Sequence, residues 1–143
     1  MNKDEIEALD DRGLATWASG DAQGFADMFA DEFVLNDVSL PMPITDKEGA
    51  KAYAQAWFTA FPDINVKMTN RVVGEDAAAA QVEFTGSNTG PMQMGEKQIP
   101  PTGKSVEGRG SYFIRVKDGK VVEFSAYPDV AGMMMQLGFM PPM

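Results

Sequence analysis

The strongest constraint on the fold is a change of hydrophobic period at Pro62. Before this residue, apolar side chains recur every three or four positions, as on one face of a helix; after it, they alternate with polar ones, as in a strand. Helical and extended segments that are separated along the chain favour an α+β arrangement, with helices against one face of a mostly antiparallel sheet. We therefore expect a single α+β domain over residues 1–143, without internal repeats.

The part before Pro62 predicts three helices and one strand. Residues 3–19 form the first helix, closed by Gly20, and "DAQGFADMFA" at 21–30 forms the second, capped by Asp21. "TDKE" at 45–48 predicts a capping box with Thr45 as the N-cap of a third helix. The predicted apolar face of the first helix comprises Ile6, Leu9, Gly13, Leu14 and Trp17, and that of the third comprises Ala50, Tyr53, Ala54, Trp57, Phe58 and Phe61.

A strand over 32–38 places an acid on an apolar face. Phe33, Leu35 and Asp37 share one side of "EFVLNDV". If that side is buried, Asp37 is either paired or functional. If the strand ends there, Asp37 instead begins a turn, for which Asp is well suited.

Strands predominate after Pro62. Alternation predicts strands near 64–68, 80–84, 105–117 and 121–127, with a turn at "GEDA" and a tight hairpin at Asp118-Gly119. Residues 86–104 read as a long loop that is rich in glycine and proline, and such loops are often functional. A short helix or turn, "VAGMMMQLG", closes the chain at Gly138. A curved sheet of this kind forms a cone whose helices cover a central pocket.

Composition excludes several classes of function. The net charge is −9, which disfavours nucleic acid and anionic membranes as partners. No apolar run reaches the length of a membrane span, and "MNKDEIEALDD" lacks the apolar core of a signal peptide, so we expect a cytoplasmic protein. The chain has no cysteine and no histidine, so we expect no metal site, and any catalysis must rest on other side chains.

An ordered set of stretches resembles the SnoaL-like polyketide cyclases of the nuclear-transport-factor-2-like superfamily, which includes ketosteroid isomerase. They are "WASGDAQGFADMFADEFVLNDVSLP", "AYAQAWFTAFPDINV", "EFTGSNTG", "PPTGKSVEGRGSYFIRVKDGKVVEF" and "YPDVAGMMMQLG", and the similarity covers residues 5–138. The resemblance implies the cone-shaped sheet with its pocket, a homodimer, and cofactor-free acid–base chemistry on a small apolar molecule. It matches Asp129 to the cyclase acid–base and Asp37 to the isomerase base, and it places Tyr112 near the isomerase's oxyanion-hole acid.

Asp129 has two interpretations. As an N-cap of the segment that follows, it would be structural, since Asp is a favoured capping residue. As a working acid, it would be shielded by Phe124, Tyr127 and the methionines at 133–135, and this desolvation would suit it to proton transfer near neutral pH.

The hairpin register bears on Arg109 and Tyr112. Counting outward from Asp118-Gly119 puts Phe113 opposite Phe124 and Arg109 level with Pro128, so an Arg109–Asp129 ion pair is one hypothesis. A solvated arginine is the alternative. On this count Tyr112 points to the other face of the sheet from Arg109.

Aromatic residues supply a core and candidate pocket walls. At their spacing they are mainly core residues, and some also line the pocket. Met92 and Met94 in the long loop suit a flexible rim over a ligand, or a loop packed down on the domain. The candidate substrate-binding residues are Trp17, Tyr53, Trp57, Phe84, Met92, Arg109, Tyr112 and Phe124.

Three functional hypotheses follow. The first is a cofactor-free enzyme in which Asp129, with Asp37, moves a proton on an apolar carbonyl compound, and Tyr112 or a backbone N–H stabilises the enolate. The second is a non-catalytic domain that binds a small apolar molecule. The third is a dimeric interaction module with a vestigial pocket.

Overall fold

Helices and strands occur in the order that the change of period predicts. The computed structural model describes residues 1–141. Its elements are α1 (Lys3–Ser19), α2 (Ala22–Asp27), β1 (Phe29–Asp37), α3 (Lys47–Ala60), β2 (Asn65–Val73), β3 (Ala77–Ser87), β4 (Met92–Met94), β5 (Lys97–Ile99), β6 (Ser105–Lys117), β7 (Lys120–Pro128) and α4 (Val130–Leu137).

Five strands form a curved, open sheet in the order β1-β7-β6-β3-β2. All neighbours are antiparallel except β1 and β7, which run parallel. The first three helices pack on the inner face of this sheet and bury a core around Ile6, Phe25 and Leu35. The α+β prediction is therefore confirmed.

Two local predictions for the part before Pro62 were wrong. The second helix is shorter than expected, because Phe29 already belongs to β1. The N-cap of α3 is Asp46 rather than Thr45, and its carboxylate accepts a hydrogen bond from the Gly49 N–H at 2.6 Å. A carboxylate is as good a cap as a hydroxyl, and Asp46 directly follows Thr45 in the sequence.

The 86–104 segment also departs from the prediction of a plain loop. It contains a small antiparallel hairpin, β4–β5, in which Met92 pairs with Ile99. Met92 is buried in a second core with Phe61, Phe84 and Met133, whereas Met94 is exposed. For Met92, the loop-packing alternative describes the structure.

Two β-bulges set which side chains face inward. In β2, Thr69 is the extra residue, because Met68 pairs with Val82 and Asn70 with Gln81. In β7, Val122 is the extra residue between Val121 and Glu123. A bulge reverses the alternation of the residues beyond it, so each shifts a set of side chains to the opposite face of the sheet.

Asn88 anchors the long segment to the domain and is fully buried. Its side-chain amide donates to the carbonyls of Ala60 and Gly90, both at 3.0 Å. Its carbonyl oxygen accepts from the N–H and the hydroxyl of Thr102, both at 2.9 Å. One side chain thus ties together the end of α3 and both ends of the loop.

We predict that Asn88→Ala lowers the free energy of unfolding by roughly 2–4 kcal/mol, because it leaves several buried polar groups without partners. Urea denaturation followed by circular dichroism measures this change. Gln93→Ala is the matched control, since that exposed side chain makes one hydrogen bond, to the Gly95 carbonyl, and should change stability by less than about 0.5 kcal/mol. Equal effects of the two substitutions would contradict the assigned role of Asn88.

Among residues 1–141, no helix has both the length and the apolar character required to cross a membrane.

Candidate active site

The inner face of the sheet and the first three helices enclose a cavity of about 110 Å³. Its wall is almost entirely apolar and rich in aromatic rings. The side chains of Trp17, Phe25, Tyr53, Trp57, Phe84, Tyr112 and Phe124 line it, together with those of Asp10, Leu14, Met28, Val66, Val82 and Ile114. Such a space, with a few converging polar groups, is the usual form of a small-molecule site.

One carboxylate, Asp10, lies in this apolar wall. It is 4% exposed. Its Oδ1 accepts a hydrogen bond from the Tyr112 hydroxyl at 2.7 Å, and its Oδ2 accepts one from the Arg71 guanidinium at 2.9 Å. Asp10 thus accepts one charge-assisted hydrogen bond from a cation and one hydrogen bond from a phenol, one at each oxygen.

Arg71 also contacts the outer side of α1. It bonds Asp11 at 2.7 Å and Glu7 at 2.9 Å, and both of these acids are more than half exposed. The guanidinium itself is largely buried, so it fastens α1 to β2 while its charge sits behind Asp10. We call Asp10, Arg71 and Tyr112 the site triad.

Local structure explains how the three side chains meet. Asp10 lies on the face of α1 that carries Gly13, Leu14 and Trp17, at spacings of three, four and seven residues. The bulge at Thr69 puts Arg71 opposite Ala80, on the inner face. Without the bulge, Asn70 would take that position.

The second bulge explains why the predicted hairpin register was wrong. The turn does pair Lys117 with Lys120, as expected, but the extra residue Val122 puts Ile114 opposite Phe124 and Tyr112 opposite Ala126. Phe124 consequently faces the cavity and stacks on Tyr112, with ring centroids 5.6 Å apart and planes 4° from parallel. The bulge leaves no mark in the alternation of "SYFIRVKDGKVVEFSAY", so counting from the turn could not place it.

Burial raises the pKa of the Tyr112 hydroxyl far above its ordinary value of 10.0, and the negative charge of Asp10 and the hydrogen bond to it add to this effect. Arg71 acts in the opposite direction. The phenol therefore stays protonated across the physiological range, with its proton directed at Asp10.

Asp37 forms a second carboxylate–phenol pair. It is 4% exposed at the end of β1, and its Oδ2 accepts from the Tyr53 hydroxyl at 2.6 Å. Its Oδ1 accepts from both the N–H and the hydroxyl of Ser39, so it also caps the turn. Tyr53 lines the cavity, whereas Asp37 lies behind it. Burial, followed by the charge of Asp37, raises the pKa of Tyr53 well above 10.0.

Asp129 lies outside the cavity. It is the N-cap of α4, its Oδ1 accepts from the Gly132 N–H at 2.9 Å, and the residue is exposed. Phe124 does not shield it, because the bulge turns that ring toward the cavity. The structure therefore gives Asp129 the capping position, and Asp37 and Asp129 do not share a pocket.

Arg109 does not join the cavity either. Its side chain is exposed, and none of the ion pairs among residues 1–141 links it to Asp129. The two residues meet only through their backbones, where the Asp129 N–H donates to the Arg109 carbonyl at 3.0 Å. Arg109 and Tyr112 lie on opposite faces of β6, as the sequence predicted.

Asp10 is the site residue that sequence reasoning missed. The signal was present, since an acid one turn before Gly13 and Leu14 continues the apolar face toward Ile6. It was obscured by the neighbouring Asp11 and Arg12, which make "DDR" resemble a solvated stretch of helix. Within residues 1–141, no group of three or more acidic side chains is arranged to hold a metal ion.

Comparison with known proteins supplies the family. The family model described as SnoaL-like polyketide cyclase matches residues 8–137. The chain belongs to the SnoaL-like polyketide cyclase family. A comparison of this SnoaL-like chain with curated proteins gives no significant match.

Solved structures agree with the family's fold. AclR from Streptomyces galilaeus, provisionally assigned as a hydroxylase, superposes with a TM-score of 0.84 at 24% identity over 99% of this chain and 86% of its own. IdmH from Streptomyces antibioticus, provisionally assigned as a polyketide cyclase, superposes with a TM-score of 0.74 at 24% identity, over 92% of this chain and 97% of its own. A protein with a ketosteroid isomerase-like fold from Catenulispora acidiphila, solved with trimethylamine, superposes with a TM-score of 0.76 at 12% identity, over 92% of this chain and 93% of its own.

The two buried phenols predict how stability depends on alkaline pH. A folded-state pKa above the unfolded value of about 10 gives a stabilising contribution that is complete below that pH and is lost as the pH rises toward the folded-state pKa. We therefore expect the free energy of unfolding to decrease steadily above pH ~10, and to decrease less steeply in Tyr53→Phe and Tyr112→Phe.

Near-ultraviolet absorbance of tyrosinate checks this prediction, since it distinguishes phenols that ionise in the folded protein from those that ionise on unfolding. Two phenols per chain should ionise only as the protein unfolds. Ionisation of Tyr53 and Tyr112 in the folded chain close to pH ~10 would contradict the hydrogen bonds described above.

Proposed function

We propose that this SnoaL-like protein is a cofactor-independent enzyme that moves a proton on an apolar carbonyl compound in the cavity, as in an aldol-type cyclisation or an isomerisation. The observation that carries the proposal is the site triad: one carboxylate, hydrogen-bonded to Arg71 and Tyr112, opens into an otherwise apolar space. A base in such a space is not weakened by hydration, and the aromatic wall excludes water from the intermediate.

Asp10 is the proposed general base. It takes a proton from the carbon next to the carbonyl, and the electron pair of the broken C–H bond moves into the enolate. A protonated carboxyl accepts a hydrogen bond less strongly than a carboxylate, so the Tyr112 proton is then free to turn to the enolate oxygen. Tyr112 thus donates where negative charge develops, and Arg71 holds Asp10 without contacting the substrate.

Tyr53 and Asp37 have a supporting role in this scheme. Their hydrogen bond fixes one aromatic wall of the cavity against the end of β1. Because Asp37 lies behind the ring, it acts on the ligand only through Tyr53.

A non-catalytic binding domain is the second candidate. It is favoured by the fact that both oxygens of Asp10 already have protein partners, as in a purely structural ion pair. In that case the triad would fix the shape of the cavity, and the carboxylate would exchange no proton with a ligand.

Exchange of the acidic C–H protons of β-tetralone in deuterium oxide, followed by NMR, separates the two candidates. This flat, enolisable ketone is a probe of the cavity rather than the presumed substrate. We expect the protein to accelerate the exchange, and Asp10→Asn to reduce the protein-dependent rate by about 10²–10⁴-fold, because an amide cannot take the proton.

Asp129→Asn is the matched control, since Asn caps a helix as well as Asp and leaves α4 intact. It should keep the full exchange rate. An Asp10→Asn protein that exchanges as fast as the parent would overturn the assignment of the base. Loss of exchange in Asp129→Asn alone would move the role to the exposed acid.

A further inference from the structure

A second cavity lies between α1, α2 and the turn that joins β6 to β7. Its volume is about 260 Å³. About 10–15 Å³ of such space holds one water, so this cavity has room for a small molecule. The residues that line it are Leu9, Arg12, Thr16, Gly24, Asp27, Met28, Gly119 and Lys120.

The helical period of α1 separates the second cavity from the aromatic one. Leu9, Arg12 and Thr16 follow one another at spacings of three and four residues, so they share one face of the helix. Asp10 lies on another face and lines the aromatic cavity. Met28 borders both spaces. A ligand in the second cavity therefore meets a set of side chains distinct from the site triad.

Two cations line the second cavity, in a chain whose net charge is −9. Neither Arg12 nor Lys120 takes part in the ion pairs formed among residues 1–141. Asp11, the acid next to Arg12 in the sequence, binds Arg71 instead. The two positive charges thus lie beside the same space without a carboxylate at ion-pair distance.

The second cavity also has hydrogen-bond donors in reserve. The Lys120 ammonium donates to the backbone carbonyl of Asp27 at 2.9 Å, which uses one of its three protons. This bond holds the ammonium at the C-terminal end of α2, where the helix dipole favours a cation. The Gly119 N–H donates to the Met1 sulfur at 3.2 Å, and a thioether is a weak acceptor. An oxyanion is a stronger acceptor than that sulfur.

Asp27 is the one acid among the described residues that line the second cavity. Its Oδ1 accepts a hydrogen bond from the Gln23 amide at 2.8 Å, and the residue is exposed, so solvent and salt screen its charge. Leu9 and Met28 give the same wall an apolar part. The cavity thus combines two cations, one screened acid and some apolar surface.

We propose that the second cavity binds a phosphate group, with Arg12 and Lys120 as the residues that hold it. Arginine presents a planar fork of donors that matches phosphate oxygens, and lysine adds a compact charge. A phosphate ester carries a charge of about −1.5 to −2 at neutral pH, which matches two cations better than a carboxylate does. This site is independent of the proposed proton transfer.

Titration at low ionic strength, followed by two-dimensional amide NMR, tests the proposal. The probes are phenyl phosphate, inorganic phosphate and benzoate. We expect phenyl phosphate to bind with a Kd of about 1 mM or less and to shift the amides of Arg12, Gly119 and Lys120. Benzoate has the same ring but a single charge, and it should bind at least about fivefold more weakly.

Inorganic phosphate distinguishes the two sources of the group. If the apolar surface of Leu9 and Met28 takes part in binding, the ester binds more tightly than free phosphate. Equal affinities assign the site to free phosphate. Either result supports a phosphate site.

Four exposed residues provide the variants. Arg12→Gln and Lys120→Gln should each weaken the binding of phenyl phosphate at least about tenfold, because each removes a charge-assisted hydrogen bond. Lys117→Gln is the matched control: this lysine pairs with Lys120 across the turn but does not line the cavity, so the affinity should change by less than about threefold. Asp27→Asn removes the acid and keeps the carbonyl that holds Lys120, so it should tighten binding.

Several outcomes overturn the inference. They are the absence of saturable shifts with both phosphate probes, benzoate binding as tight as that of phenyl phosphate, and weaker binding in Asp27→Asn. A loss in Lys117→Gln as large as in Lys120→Gln also overturns it, because the anion would then be attracted by the basic turn in general. None of the four substituted residues lines the aromatic cavity, so failure here leaves the proposed function untouched.

Discussion

The contact of Arg71 with Asp10 is the interaction on which the site depends. It joins α1 to the edge strand β2, and it holds the Asp10 carboxylate in an apolar wall. Removing one partner of a buried ion pair typically costs about 3–5 kcal/mol, because the other charge is left without compensation. In the proposed mechanism, the contact that fastens α1 to β2 also holds in place the carboxylate that takes the proton.

The two bulges show how a regular sheet is adapted to build such a site. One extra residue in β2 turns Arg71 inward, and one in β7 turns Phe124 toward the cavity. Each bulge is a small change in one strand, yet in the rest of that strand it exchanges the side chains that face inward with those that face outward. Without them, Asn70 would occupy the place of Arg71 behind Asp10, and Phe124 would leave the cavity wall.

Most of the architecture could be predicted from the sequence, because hydrophobic period and turn residues are local signals. The limits of α1 and β6, the turn at Asp118-Gly119 and the stop at Gly138 agree with the structure. The site was harder to predict, because a bulge leaves no local signal in the sequence. A shift of one residue in the strand pairing moves each later side chain to the opposite face of the sheet. Asp129 illustrates a further limit: a favourable N-cap and a pocket acid have the same sequence context, and only the fold separates them. Asp10 could have been found on the apolar face of α1, but its charged neighbours concealed it.

The central claim is that a ligand in the cavity meets the Asp10 carboxylate, with Arg71 and Tyr112 still bound to it. The most direct measurement is a crystal structure of the protein with β-tetralone. The account predicts that the ketone occupies the aromatic cavity, with a carbon next to its carbonyl within about 3.5 Å of an Asp10 oxygen, the range of a near-attack geometry. A ketone bound beside Asp129, or an Asp10 side chain turned into solvent with the ketone in the cavity, would contradict it.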